Sequence, residues 1–176
     1  IVADFYHSQL LSNKKAIDYQ TRKRGHSIDV LKQFKIGYAG KESPVNYVKQ
    51  HGYTVEDLVS IGIMRKSGKA FQTVIPEGTF VYPHKINNQA AYFSLKVPDK
   101  KFQIKKQYAG PGWLCFNQDV LKSDEPVIIV EGENDLLSVI DKTQQKNVIA
   151  TLGNFNTSNI LTFLKSHSKG KIFYLC

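Results

Sequence analysis

The final third of the chain alternates apolar runs with amphipathic stretches, and this alternation constrains the fold more than any other feature of the sequence. The apolar runs have the length of buried strands and lie at residues 127–130, 147–152 and 171–175, with helical patterns at 134–142 and 157–166 between them. Strands joined through helices form a parallel sheet, and ligands bind at the carboxyl ends of its strands. We therefore predict a β-α-β-α-β unit over residues 126–176.

The first 64 residues show helical periodicity punctuated by glycine. Helical segments are predicted at residues 5–11, 16–24, 28–34, 46–51 and 54–61. Gly25, Gly52 and Gly62 follow three of these patterns, as glycine does where a helix ends. Thr54 precedes Asp57 by three residues, which is the spacing of a capping box with Asp in place of Glu.

Between these two parts the sequence becomes rich in aromatic and β-branched residues. Strands are predicted at residues 71–75, 79–82 and 90–97, with turns at 76–78 and 87–88. The predicted fold class is α+β. A basic N-terminal subdomain covers residues 1–118, helical over 1–64 and mostly β, with a small antiparallel sheet, over 70–118. A partial α/β domain with parallel strands covers residues 119–176.

The net charge of +9 is unevenly distributed along the chain. Residues 1–110 contain 18 Lys and Arg against 8 Asp and Glu, a net of +10, whereas residues 111–176 contain 6 against 7, a net of −1. The basic residues cluster at positions 14–15, 22–24, 100–101 and 105–106. Such a surface attracts phosphate backbones through counterion release, although a plain solvated surface can have the same composition. The charge favours a nucleic-acid partner.

Two further features limit the class of protein. No apolar run reaches the length of about 20 residues that spans a bilayer, so no membrane partner is predicted. Cys115 and Cys176 are too few for a cysteine-rich zinc site or a disulfide framework, so we expect no structural zinc in this chain and a reducing, cytoplasmic location.

A cluster of carboxylates follows the first strand of the predicted parallel sheet, in the run E-G-E-N-D of residues 131–135. A carboxylate at a strand tip, here Glu131, is a hard oxygen ligand of the kind that Mg²⁺ prefers. Gly132 lets the backbone turn tightly and lets phosphate approach closely. The same residues would also suit a solvent-exposed turn whose acids cap the next helix.

Residues 130–135, a strand end followed by E-G-x-x-D and an apolar helix, resemble the first motif of the TOPRIM domain found in bacterial primases, type IA and type II topoisomerases and some nucleases. The run A-T-L-G of residues 150–153, followed by Thr157, resembles the second-strand segment of primase TOPRIM domains. Upstream, R-G-H-S and F-K-I-G-Y-A within residues 24–39, and H-G-Y-T through G-I over residues 51–63, resemble the N-terminal part of the bacterial-type (DnaG-like) primase core. These matches, in the family's order, cover most of the chain.

The resemblance implies a DNA-directed RNA primase, a nucleotidyltransferase that makes RNA primers on single-stranded DNA during replication by two-metal catalysis. Glu131 is the expected ligand of Mg²⁺ or Mn²⁺, and Asp135 is expected to orient the site. The expected partners are a single-stranded DNA template, ribonucleoside triphosphates and a replicative helicase, fused or separate.

Further residues are candidates for contacts with nucleic acid or nucleotide. Those expected near phosphate groups are Lys96, Lys105, Lys106, Gly132 and Gly153. Possible stacking platforms for template bases are Tyr38, Tyr92, Tyr108 and Trp113, although aromatic residues of this kind more often belong to the core.

The chain departs from the family pattern at three places. The family's R-x-R-x-x-F-P-I stretch has no arginine at residues 78–84, F-G-G-R is replaced by F-S-L-K at residues 93–96, and K-Y-L-N-S-P is reduced to Q-Y-A-G-P at residues 107–111. This divergence predicts a primase of a phage, a plasmid or another mobile element.

In the family a D-x-D motif follows the third TOPRIM strand and supplies most of the metal ligands, and the chain is expected to stop just before it, at Cys176. It is therefore expected to be a catalytic-core fragment that is inactive alone. Two other functions stay open. One is a TOPRIM nuclease, which uses a similar glutamate, and the other is a non-catalytic remnant that binds single-stranded DNA.

Overall fold

The computed structural model describes residues 1–98, 100–103, 115–152, 158–167, 170 and 172–176. Its helices are α1 (Val2–Ser12), α2 (Lys14–Asp18), α3 (Ile28–Gln33), α4 (Val45–Gln50), α5 (Val55–Ser60), α6 (Glu133–Thr143) and α7 (Ser158–Ser166). Its strands are β1 (Gly37–Ala39), β2 (Met64–Ser67), β3 (Ala70–Thr73), β4 (Thr79–Ile86), β5 (Gln89–Val97), β6 (Lys100–Gln103), β7 (Val127–Val130), β8 (Val148–Ala150) and β9 (Phe173–Leu175). A π-helical turn, Tyr19–Lys23, continues α2, and a 3₁₀ turn spans Gln118–Lys122.

The strands form three sheets over the described residues. An antiparallel sheet has the order β1-β4-β5-β6, β2 and β3 form a hairpin, and a parallel sheet has the order β8-β7-β9. In the parallel sheet, Ile129 of β7 lies opposite Ile149 on one side and Leu175 on the other. The predicted α+β class, with an antiparallel and a parallel sheet, is confirmed.

The helical signals of the N-terminal part are confirmed in outline. At α5 the hydroxyl of Thr54 accepts from the backbone N–H of Asp57 at 3.2 Å, and Oδ2 of Asp57 accepts from the backbone N–H of Thr54 at 2.7 Å. This reciprocal pair is the predicted capping box, and it satisfies two donors that the first turn of a helix leaves unpaired. The turn at Asn87 and Asn88 is also confirmed, and both residues have positive φ.

Two features of the first 64 residues differ from the prediction. The helix predicted over residues 16–24 changes to a π-helical turn at Tyr19, because one extra residue is accommodated there and the N–H of Arg24 bonds the carbonyl of Tyr19 at 3.1 Å. The part predicted to be helical, residues 1–64, also contains β1, which lies between the helices predicted at 28–34 and 46–51. This strand crosses so close to α1 that a Cβ on Gly37 would lie 2.6 Å from the Cβ of Tyr6.

One apolar core is shared by the antiparallel sheet and the parallel unit. Side chains of β4 and the N-terminal helices pack in it against α6 and the parallel strands, and the buried members include Leu10, Leu31, Phe80, Tyr82, Phe116, Val130, Leu136 and Leu137. Phe116 also exchanges backbone hydrogen bonds with Ala150, at 2.9 and 3.2 Å. This shared core fixes the tip of β7 beside β4 and β5. Within the described residues, no helix has both the length and the apolarity needed to cross a membrane.

Candidate active site

Glu131 is the first residue beyond β7, at the carboxyl end of the central strand of the parallel sheet. The extension of β8 holds its backbone, because the N–H of Leu152 donates to the carbonyl of Glu131 at 2.7 Å. The side chain of Glu131 is exposed, and its carboxylate makes no hydrogen bond or ion pair with any described residue. A rigid backbone therefore presents an unengaged carboxylate at the edge of the sheet where ligands of such folds bind.

Gly132 and Asp135 form the turn that joins β7 to α6. The backbone N–H of Gly132 donates to Oδ2 of Asp135 at 3.0 Å, and the carbonyl of Gly132 accepts the first helical hydrogen bond, from Leu136, at 3.1 Å. A Cβ on Gly132 would lie 3.1 Å from Asp135 Oδ2 and 3.6 Å from Lys96 Nζ. Asp135 thus holds the turn, and Lys96 reaches it from β5.

Glu133, the first residue of α6, is buried against the antiparallel sheet, with 4% of its side chain exposed. Its Oε2 lies 2.7 Å from Nζ of Lys96, and its Oε1 accepts a short hydrogen bond from the hydroxyl of Ser94. The helix N-terminus adds a favourable positive end to the peptide dipoles. Both carboxylate oxygens are therefore engaged by residues of β5.

His84 completes this cluster from β4. Its Nε2–H donates to the hydroxyl oxygen of Ser94 at 2.8 Å, because Ser94 uses its own proton on Glu133. Burial, and secondarily the charge of Lys96, lower the pKa of His84 to about 3. The ring is therefore neutral, and its approach to Glu133 at 3.8 Å is not an ion pair.

Sequence reasoning passed over Glu133, although the helical period contained the clue. Glu133 precedes Leu136, Leu137 and Ile140 by three, four and seven residues, so it lies on the apolar stripe of α6. A carboxylate on that stripe must be buried and needs a cation and hydrogen-bond donors. The identity of those partners was hidden because they lie about 40 residues earlier, on another sheet.

Lys96 was predicted to bind phosphate, and the structure places it beside the turn at Gly132 but paired with Glu133. Its ammonium also lies 5.5 Å from the ring centroid of Tyr82, within reach of a cation–π contact. The side chain of Lys96 remains 37% exposed. One side of the ammonium is thus held by protein while the other faces solvent next to the turn.

A chain of hydrogen bonds locks α6 to the π-helical turn. In its Nδ1–H tautomer His26 donates to Gln20 Oε1 at 3.0 Å, Gln20 Nε2 donates to the hydroxyl of Tyr82 at 3.4 Å, and Tyr82 donates to Asn134 Oδ1 at 2.8 Å. Burial lowers the pKa of His26 and raises the pKa of Tyr82, so both side chains are neutral. This series of hydrogen bonds holds the side chain of Asn134, the residue that follows Glu133.

The predicted stacking residues have mixed outcomes. Tyr92 is buried in the core, so its prediction as a base platform is wrong. Tyr38 is partly buried and packs on Phe80, with ring centroids 5.4 Å apart. The remaining candidates, Tyr108, Trp113, Lys105, Lys106 and Gly153, lie outside the described residues.

Tyr19, which sequence reasoning did not select, forms an aromatic and basic cluster near the site. Its ring stacks on Phe80 at 5.1 Å, and the cations of Lys23 and Arg24 lie 5.1 and 5.6 Å from its centroid. Phe80 is the cross-strand neighbour of Lys96. The buried ring of Phe80 thus contacts Tyr19 on one side and lies opposite Lys96 in the sheet.

The donor set suits a divalent cation in one respect. Mg²⁺ is commonly held by one or two carboxylates together with water and phosphate oxygens, and the exposed, unengaged carboxylate of Glu131 fits that role. Within the described residues, no group of three or more His, Cys, Asp or Glu side chains is placed to form a complete protein cage.

Both a family model and a curated relative that match this chain are those of DNA primases. Residues 5–88 match the model of the family described as DNA primase catalytic core, N-terminal domain. A DNA primase of Legionella pneumophila is 30% identical over 187 residues, an alignment that takes in 98% of this chain and 31% of that protein. The chain thus spans about a third of the length of this curated relative.

Solved structures show the same fold. The zinc-binding and RNA polymerase domains of the Aquifex aeolicus primase superpose with a TM-score of 0.77 at 20% identity, covering 99% of this chain and 45% of that one. A DnaG primase catalytic domain bound to single-stranded DNA superposes with a TM-score of 0.72 at 17% identity, covering 98% of this chain and 57% of that one. At such identities the likeness concerns the fold alone.

Proposed function

Because the chain belongs to the DnaG-type DNA primase family through the N-terminal domain of the catalytic core, we propose that it carries part of the active site of an enzyme that makes RNA primers on single-stranded DNA. The observation that supports this most directly is the position of Glu131, whose exposed carboxylate lies at the carboxyl end of β7 and is engaged by none of the described residues. The E-G-x-x-D run, which resembles the first TOPRIM motif, thus lies at the edge of a parallel sheet where ligands of such folds bind.

In this proposal Glu131 holds Mg²⁺ or Mn²⁺, and Asp135 keeps the turn in place through the N–H of Gly132. When bound, such an ion neutralises charge on the triphosphate and lowers the pKa of the attacking 3′-hydroxyl. The residues around it bind and orient. Lys96 donates to a phosphate oxygen from β5 of the antiparallel sheet, and Gly132 leaves room for that phosphate because it has no side chain.

The template is proposed to follow the exposed basic residues of the N-terminal part. Lys23 and Arg24 flank Tyr19, and Lys14 and Lys15 are exposed on α2. The fold is the one seen bound to single-stranded DNA in a DnaG catalytic domain. Residues Lys105, Lys106 and Gly153 remain proposed contacts with phosphate.

The test is primer synthesis by the natural full-length protein on single-stranded DNA with ribonucleoside triphosphates. Synthesis should require Mg²⁺ or Mn²⁺. Glu131→Gln keeps the size but removes the charge, and it should lower the rate at least about 100-fold, roughly 2.7 kcal/mol of transition-state stabilisation. Asp135→Asn should cost less, because it acts on the turn. Glu125→Gln is the matched control, since Glu125 is an exposed glutamate two residues before the opposite end of β7.

Other outcomes separate the alternative functions. Metal-dependent cleavage of DNA without primer synthesis would identify a TOPRIM nuclease. Salt-sensitive binding of single-stranded DNA with neither reaction would identify a non-catalytic binding protein. Full activity of Glu131→Gln would refute the role assigned to that residue.

A further inference from the structure

We propose that Glu133 is a positioning residue, which holds the ammonium of Lys96 beside the turn of Glu131 and Gly132 so that it meets a phosphate group there. This inference rests on the proposed function and adds to it. It gives a role to a buried carboxylate inside the E-G-x-x-D run, at one of the two unspecified positions of the motif.

The geometry leaves Lys96 little freedom. Its Nζ is held at 2.7 Å by one oxygen of Glu133, while the other oxygen is held by Ser94, which His84 supports in turn. The ring of Tyr82 lies next to the ammonium, and the hydroxyl of Tyr82 donates to Asn134. A lysine on a surface strand ordinarily samples many rotamers, and here one is selected. The selected position lies 3.6 Å from the Cβ site of Gly132.

The arrangement is a costly way to stabilise a core. Glu133 lies on a helix stripe whose other members are leucine and isoleucine, and a buried ion pair is often no more stabilising than apolar residues of similar volume. An apolar side chain at position 133 would complete the stripe but would leave the ammonium of Lys96 unheld. The pair is therefore better explained by what it does for Lys96 than by stability.

The ligand of the exposed side of Lys96 is a phosphate group. The ammonium offers further N–H donors on its solvent-exposed side, beside Gly132, where no side chain stands between it and an approaching anion. That phosphate could belong to an incoming triphosphate or to the template backbone. The two sources are distinguished by whether the KM for the triphosphate or the Kd for the template changes.

The experiment compares Lys96→Met, Lys96→Arg, Glu133→Gln and the double variant Glu133→Gln/Lys96→Met in the full-length protein. Primer synthesis and the free energy of unfolding are measured on the same samples. Asp119→Asn/Lys122→Met is the matched control, because it removes a partly exposed ion pair of similar length, 2.6 Å, that lies outside the site.

We expect Lys96→Met and Glu133→Gln each to lower kcat about tenfold or more, and Lys96→Arg to retain most of the activity. In the Lys96→Met background, Glu133→Gln should change kcat less than about twofold, because its effect passes through Lys96. Stability should show the opposite pattern: the loss in Lys96→Met, which leaves the buried carboxylate of Glu133 unpaired, should be largely recovered in the double variant. A raised KM for the triphosphate in Lys96→Met assigns the phosphate to the nucleotide, and a raised Kd for an oligonucleotide assigns it to the template.

Two results would overturn the inference. Recovery of activity together with stability in the double variant would show that Glu133 acts only on the fold. A fully active Glu133→Gln would show that Lys96 needs no positioning. Wild-type protein that makes no primer would instead overturn the proposed function, so the two failures are distinguishable.

Discussion

Acidification should destabilise the protein through His84, whose ring is wholly buried and neutral. Its pKa is about 3 in the folded state, whereas an unfolded histidine has a pKa of about 6.5. Between these values the unfolded chain binds more protons than the folded one, so the free energy of unfolding falls as pH falls. Above pH 6.5 both states are neutral at this residue, and it contributes no pH dependence.

The magnitude follows from the width of that window. One proton of difference changes the free energy of unfolding by about 1.4 kcal/mol per pH unit. From pH 6.5 to pH 4.5, with the unfolded histidine half protonated at the start, the loss is about 2 kcal/mol. This is a large share of the 5 to 15 kcal/mol that stabilises a typical domain.

The assay is urea denaturation followed by circular dichroism at several pH values between 7 and 4.5. Other groups titrate in the same range, His26 among them, because burial also lowers its pKa. The informative quantity is therefore the slope of the free energy of unfolding against pH, compared between wild type and His84→Gln. Glutamine stays neutral and can still donate to Ser94. In this variant the slope of the free energy of unfolding against pH should therefore fall by the contribution of about one proton.

Equal slopes for wild type and His84→Gln would refute this reasoning. That result would mean either that the ring is already charged in the folded protein or that the cluster opens on acidification. A charged ring would also revise the site, because His84 would then form an ion pair with Glu133 at 3.8 Å.

Gly37→Ala should destabilise the protein by about 1 to 3 kcal/mol, because the added Cβ would press on Tyr6 and force α1 away from β1. Urea denaturation measures this loss. Unchanged stability would show that α1 and β1 can separate at no cost. Binding of single-stranded DNA should weaken steeply with salt, with a log–log slope of about −0.7 for each phosphate neutralised, and Lys23→Gln/Arg24→Gln should flatten that slope across all sequences. A slope that is flat in the wild type would mean that the basic surface is only solvated.

Much of the fold was available from the sequence because it depends on short-range patterns. The capping box of Thr54 and Asp57, the turn at Asn87 and Asn88, and the apolar strand before Glu131 each follow from a few neighbouring residues. The position of Glu131 followed as well, because strands that alternate with helices present their carboxyl ends on one edge of a sheet.

The tertiary structure decided what depends on distant partners. Strand β1 forms because its residues pair with β4, Tyr38 opposite Phe80. The run F-K-I-G-Y-A is too short to show the period of a strand, so its neighbours in the sequence do not predict one. Tyr92 was a plausible base platform until the sheet buried it. The role of Glu133 was decided in the same way. Its place on the buried face of α6 is local information, but the lysine and serine that make its charge tolerable come from β5, and only the packing of the two sheets brings them within hydrogen-bonding distance.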